Sequence, residues 1–206
     1  MRDPKATGRL LVLALVPFLA WFVLAMATLA QTGYNNSADF TPGVLADVRL
    51  QWVAIAILYA LAVLAGAAGM AMVATSPGLT VATRIASGVS AVAITGNLVL
   101  ALSMAGSTTA KLSDNSLWGP SLWLSIISIW AALAAVVLTG VGLRRTGVLR
   151  RTGLVVAIIA GVILLADLAL GGAFPPLVVG FFWLAIGIGL VRRPVTATVQ
   201  PVASTA

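Results

Sequence analysis

The sequence predicts an all-α polytopic membrane protein: a transmembrane helix bundle of six spans with its N-terminus and C-terminus both cytoplasmic. Three observations carry this. Of 206 residues, 61% are hydrophobic and only 8% are charged, against about 25% charged in soluble domains. Mean hydropathy is +1.10, so the chain lacks the polar surface that a water-facing globule needs. Six apolar runs, most near the ~20 residues that a bilayer core demands, use residues 1–193 as a single transmembrane domain and leave 194–206 as a disordered cytoplasmic tail.

The first run spans residues 10–30 and contains Pro17, which lipid-embedded helices tolerate when neighbours satisfy the freed carbonyl. Its length exceeds the ~7–15 apolar residues of a signal peptide, although Thr28-Leu29-Ala30 before Gln31 would serve as a cleavage site. The loop from Gln31 to Gln51 is the longest, and Val44, Leu45, Val48 and Leu50 interleave there with Asp47 and Arg49 as in a short interfacial helix. The remaining spans are expected at 52–74, 85–106, 121–143, 153–170 and 177–191. Turn residues separate them: Thr75-Ser76-Pro77-Gly78 after the second, Gly171-Gly172-Ala173-Phe174-Pro175-Pro176 before the sixth. Arg84 marks the start of the third span.

Basic residues fix the orientation, because cytoplasmic loops carry the excess of Lys and Arg. With the N-terminus inside, the inner segments hold Arg2, Lys5, Arg9, Arg84, Arg144, Arg145, Arg150, Arg151, Arg192 and Arg193. The outer segments hold Arg49 and Lys111 alone, together with Asp39, Asp47 and Asp114. Trp52, Trp118, Trp123 and Trp183 fall at or near the expected interfaces, as in aromatic belts. The net charge of +7 is thus spent on topology, and no basic helix with interleaved aromatics points to nucleic acid. The Ala-, Val-, Leu- and Gly-rich composition fits a bacterial, high-GC source and the cell inner (plasma) membrane.

Four features stand out within this frame. Asp167 is the single acid inside a span, and an ionisable group in hydrocarbon is a functional candidate unless it lies shallow enough to hydrate. Asn97, Thr95 and Ser90 make the third span the most polar. With Asp167 they are the candidate lining of an intramembrane polar site; alternatively, they make interhelical hydrogen bonds. Ala62, Gly66 and Gly69 form a small-residue stripe suited to close helix packing, inside the bundle or at a dimer face. The tetrapeptide Arg-Arg-Thr-Gly occurs twice, bringing Arg144, Arg145, Arg150 and Arg151 into one loop. Such a cluster either sets topology or contacts anionic lipid.

Absences narrow the chemistry. There is no Cys, no His and no Glu, so disulfides, Ser–His and zinc proteolysis and His-ligated haem are excluded. Neither Lys lies in a span for a Schiff base, and one embedded acid cannot form an aspartyl dyad. A non-enzyme with no cofactor and no metal is expected.

The stretch RRTGVLRRTGLVVAIIAGVILLADLALGGAFPPLVVGFFWLAIGIGLVRR, residues 144–193, resembles the C-terminal spans of a bacterial six-span family of uncharacterised membrane proteins (domain of unknown function 4386). The shared pattern is a basic inner loop, a glycine-punctuated helix, a short outer turn and a last helix ending in Arg-Arg. The resemblance implies six spans and no particular activity. Two functions fit the residues. One is a non-catalytic accessory or scaffold protein acting by helix contact with a membrane-protein partner or a second copy. The other is a small-solute transporter or substrate-binding membrane component. The lipid bilayer is a partner in both.

Overall fold

A computed structural model describes residues 4–73, 75–172 and 174–192. The expected tail, 194–206, and the charges Arg2, Asp3 and Arg193 lie outside the described residues. Those described are helical with no strand. In order they form α1 (Pro4–Leu13), α2 (Leu15–Thr32), α3 (Pro42–Asp47), α4 (Arg49–Met72), α5 (Pro77–Ser103), α6 (Trp118–Arg145), α7 (Arg150–Ala169) and α8 (Leu177–Val191).

Five stretches are long and apolar enough to cross a membrane: Pro4–Thr32, which joins α1 and α2, Arg49–Met72, Pro77–Gly106, Trp118–Arg145 and Arg150–Ala169. The six-span count is not reached on length. Helix α8 has 15 residues, roughly 22 Å at about 1.5 Å per residue, short of the ~30 Å hydrocarbon core. The break between α1 and α2 follows from Pro17, whose ring clashes with the carbonyl four residues earlier, that of Leu13. The chain recovers at once, since Ala14 N–H still donates to Leu10 O at 2.9 Å. Prolines also start helices where a missing N–H costs nothing, at Pro42 and Pro77. Helix α5 therefore begins seven residues before Arg84. Instead of marking the span start, that arginine lies two turns inside the helix and donates through Nε to Ala71 O at 3.3 Å.

The helices pack as a closed ring, each against the next: α1–α2 on α4, α4 on α5, α5 on α6, α6 on α7, α7 on α8, and α8 back on α1. Backbones touch where glycines permit it. A Cβ on Gly8 would lie 2.7 Å from Gly187 O, and one on Gly140 would lie 2.7 Å from Gly153 O. The stripe Ala62, Gly66 and Gly69 is buried within the bundle. Gly66 receives the indole of Trp183 and Gly69 the side chain of Leu11. Trp183, expected near an interface, is instead 0% exposed. It packs on Phe18, ring centroids 5.8 Å apart; the small residues on α4 open a slot that an indole fills.

Outward faces are apolar. On α5 Ile85, Val89, Val92 and Val99 are exposed, and on α7 Val155, Ile158, Val162 and Leu165. Stripes of this extent along helices of spanning length fit lipid rather than water.

Antiparallel packing gives the bundle two ends. At one, the arginine end, lie Arg9, Arg84, Arg144, Arg145, Arg150, Arg151 and Arg192. At the other, the segments 33–48 and 104–117 fold over the helices as a cap. Phe40, Leu45, Val48, Met104 and Leu112 form its own small core, Leu112 N–H donates to Phe40 O at 2.9 Å, and Lys111 Nζ pairs with Asp39 Oδ1 at 3.0 Å. The amphipathic run around Leu45 is thus α3, packed into this cap with Leu45 and Val48 buried, rather than a free interfacial helix.

Candidate functional site

Beneath the cap a cavity of about 260 Å³ opens between α2, α4, α5 and α6. The cap itself adds Ser37 and Met104. Helix α2 supplies Trp21 and Ala25, α4 supplies Trp52, Ala56 and Tyr59, α5 supplies Asn97 and Ala101, and α6 supplies Trp118, Ser121 and Ser125. No charged side chain lines it. Its size is at the lower edge of the ~300–1,000 Å³ of ligand pockets, and its mixture of aromatic wall with few polar groups is typical of them.

Packing holds the aromatic wall in place. Trp21 stacks on Tyr59 with centroids 4.9 Å apart and planes at 26°. Phe18 meets both edge-on, at 5.5 and 6.1 Å, and so ties the wall to the buried Trp183. Trp52 is anchored by its indole N–H, which donates to Ala101 O at 2.8 Å. A run of hydrogen bonds along the α5–α6 seam sets the polar wall. Tyr59 Oη and Ser125 Oγ lie 3.1 Å apart, Ser128 Oγ donates to Ser125 O at 2.7 Å, and Ser90 Oγ donates to Ser128 O at 2.8 Å.

The four residues expected to form one polar site divide among three environments. Asn97 does line the cavity. Its Nδ2 donates to Ser121 O at 2.7 Å and Oγ at 3.0 Å, and its Oδ1 keeps no partner among the described residues. Ser90 is buried behind the cavity in the seam. Thr95 faces outward, its hydroxyl returned to Ala91 O at 2.8 Å, a local bond available to any helical Thr.

Asp167 is elsewhere, in the last turn of α7. It is 1% exposed, so it is not a hydrated interfacial acid. Nor does it bond to Asn97, Thr95 or Ser90, the residues expected to share a polar site with it. Its Oδ2 accepts from Trp130 Nε1 at 3.0 Å, its Oδ1 from Phe174 N–H at 2.8 Å, and its own carbonyl from Gly172 N–H at 2.9 Å. These three bonds close the α7–α8 turn and fix it to α6, so Asp167 is a fastener of the hairpin.

The residues that the sequence reading missed are Trp21, Tyr59, Ser121 and Ser125. A signal existed. Trp21 sits mid-span, where an indole N–H has no water, and both Trp52 and Trp118 flank polar positions on the same side. The site lacks a nucleophile–base pair, and among the described residues no group of acids could hold a metal. Its polar inventory is one free amide oxygen, the hydroxyls of Ser37, Ser121, Ser125 and Tyr59, and the indoles of Trp21 and Trp118, whose N–H groups have no partner among the described residues. Such a set can orient an uncharged molecule through one or two hydrogen bonds while rings and Ala25, Ala56 and Ala101 cover its apolar body. Compared with models of protein families, with curated proteins and with solved structures, the chain matches none.

Proposed function

We propose that the protein is a membrane-embedded binding component for a small, uncharged, largely apolar or aromatic solute, the second of the two functions that fit the sequence. The cavity beneath the cap carries this reading: it is preformed, neutral and lined by four helices at one level. Absence of acid–base chemistry at the cavity supports a non-catalytic role. The stripe Ala62, Gly66 and Gly69, a candidate dimer face under the scaffold reading, is buried within the bundle, with Gly66 against Trp183 and Gly69 against Leu11.

The same proposal sets the bundle in a bacterial-type inner membrane, with the arginine end cytoplasmic and the cavity in the outer half. Helix α8 is the sixth span here. Its shortness is tolerable because other helices rather than lipid surround much of it and because a bilayer thins locally at modest cost.

Bromine quenches indole fluorescence at contact distance, which makes the cavity directly readable. In detergent solution, 4-bromobenzyl alcohol is expected to quench tryptophan emission saturably, and the anion 4-bromobenzoate is not. Ala56→Phe, or Ala25→Phe from the opposite wall, fills the cavity and removes the saturable component. Quenching that rises without saturation and is equal in both filled variants would refute the proposal.

A further inference from the structure

The α6–α7 hairpin at the arginine end contains a second cavity, of about 550 Å³, lined by Arg144, Arg145 and Arg150 together with Val141, Leu154 and Ala157. We propose that it holds the phosphate headgroup of an acidic phospholipid, with an acyl chain lying along the apolar wall. This site is independent of the neutral cavity under the cap and rests only on insertion of α6 and α7 in a bilayer.

Three arginines line this one cavity. Arg144 and Arg145 end α6, and Arg150 begins α7. The turn between them is braced. Thr146 Oγ1 donates to Gly142 O at 3.0 Å, Gly147 N–H to Arg144 O at 3.1 Å, and Gly153 N–H to Leu149 O at 2.7 Å. Gly147, at φ +72°, takes the left-handed conformation that stops α6. The Gly140–Gly153 contact then clamps the two helices just above the cavity.

Among the described residues, nothing in the protein answers the charge at this site. Among the described residues no carboxylate or other acceptor pairs with Arg144, Arg145, Arg150 or Arg151, and Asp39, Asp47, Asp114 and Asp167 all lie toward the cap. Helix α7 adds to the demand: its first turn holds no acid, and Leu149 at its N-cap gives no side-chain bond. Its unpaired N–H groups and the positive end of its dipole therefore add to the arginines. A phosphodiester or phosphomonoester supplies what is missing, since guanidinium forks match its oxygens.

The apolar half of the lining decides the source. Val141, Leu154 and Ala157 would be wasted on a soluble anion. Leu154 adjoins Val155 and the exposed outer face of α7, a continuous path for a hydrocarbon chain. Arg151 is exposed but does not line the cavity, which provides an internal control.

The test is add-back of phosphatidylglycerol or phosphatidylcholine of equal chain length to delipidated protein, with occupancy read by native mass spectrometry. Phosphatidylglycerol is expected to bind at least tenfold more tightly. Each arginine near a surface charge contributes about fivefold, so Arg144→Gln and Arg150→Gln each weaken binding about fivefold. The triple variant with Arg145→Gln weakens it about a hundredfold, and Arg151→Gln little. Inorganic phosphate should not displace the lipid. Equal binding of the two lipids, or unchanged affinity in the single and triple variants, would overturn the proposal. Displacement of phosphatidylglycerol by inorganic phosphate would overturn it too, in favour of a soluble-anion site.

Discussion

At the cap end, the side chains that fix the cavity and its cover take partners from the chain; in the α6–α7 hairpin at the other end, Arg144, Arg145, Arg150 and Arg151 take none among the described residues. Lys111 has Asp39, Asn97 has Ser121, Trp52 has Ala101 O, and Asp167 has both an indole and a backbone N–H. The arginines of the α6–α7 hairpin have no protein partner among the described residues. The two ends draw their free energy from different sources. Bonds within the chain hold the cavity's walls in place and leave only a few polar atoms free, whereas the hairpin arginines gather at the end of apolar helices with no protein partner among the described residues. Toward the arginine end the helices close on one another through glycine contacts, Gly8 with Gly187 and Gly140 with Gly153, while at mid-bundle Ser90 Oγ donating to Ser128 O joins α5 to α6.

Breaking a glycine contact should have the largest effect. Gly140→Val places a side chain against the Gly153 carbonyl and forces α6 from α7. Overpacking of this kind costs about 3 kcal/mol, visible as a lower midpoint of thermal unfolding in detergent. Gly88→Val, where a Cβ meets open space, should leave the midpoint almost unchanged.

Asp167→Ala comes next. It strands the Trp130 indole N–H and the Phe174 N–H, at a cost of about 1–3 kcal/mol for buried donors. Asp167→Asn keeps one carbonyl oxygen and should fall between, a ranking that an ion-transport role for Asp167 would not produce. Asn97→Leu loses two bonds to Ser121, and at about 0.6 kcal/mol for an interhelical bond in a membrane protein it should destabilise by about 1 kcal/mol while abolishing orientation of the solute.

Lys111→Ala should have the smallest effect, since the pair with Asp39 is exposed and salt-screened. Its pH dependence is nevertheless diagnostic. The Lys111 ammonium holds the Asp39 carboxyl below its ordinary value, chiefly through their hydrogen bond. A depressed carboxylate stabilises the fold above its unfolded pKa of about 3.9. That contribution is lost as pH falls below about 4 and through the depressed value. The same bond raises Lys111, so its share is present below about pH 10.4 and is lost as pH rises through the raised value. Loosening of the cap, read by hydrogen exchange at Leu112 N–H, should therefore appear at both extremes, and neither change should appear in Lys111→Ala.

Much of this architecture is legible in the sequence because hydrocarbon imposes length and composition on each helix. The span at 121–143 falls within α6, that at 153–170 overruns α7 by one residue, and the paired Arg-Arg-Thr-Gly repeats bracket the turn between them. Composition alone does not tell which apolar residue faces a neighbour. Trp183 reads as an interface marker until Gly66 is seen to leave a slot for it. Arg84 reads as a boundary because hydropathy falls there, although Pro77 starts the helix earlier. The candidate polar site was legible only at Asn97 and, one layer behind, Ser90. Thr95 follows Asn97 by chain proximity yet points away, and Asp167 attracts notice as a charge while its partners are an indole on α6 and a backbone N–H seven residues on. The cavity's aromatic wall depends on four helices meeting at one level, which no single segment encodes.

The central claim is that lipid separates the cap from the arginine end. With no native cysteine, single substitutions report cleanly. Gly43, Gly106 and Gly78 are exposed, and a Cβ at each meets open space. In intact cells a membrane-impermeant maleimide should label Gly43→Cys and Gly106→Cys at the cap. Gly78→Cys, at the α4–α5 turn, should react only after permeabilisation. Labelling of all three from one side without permeabilisation, or the reverse order, would contradict the account.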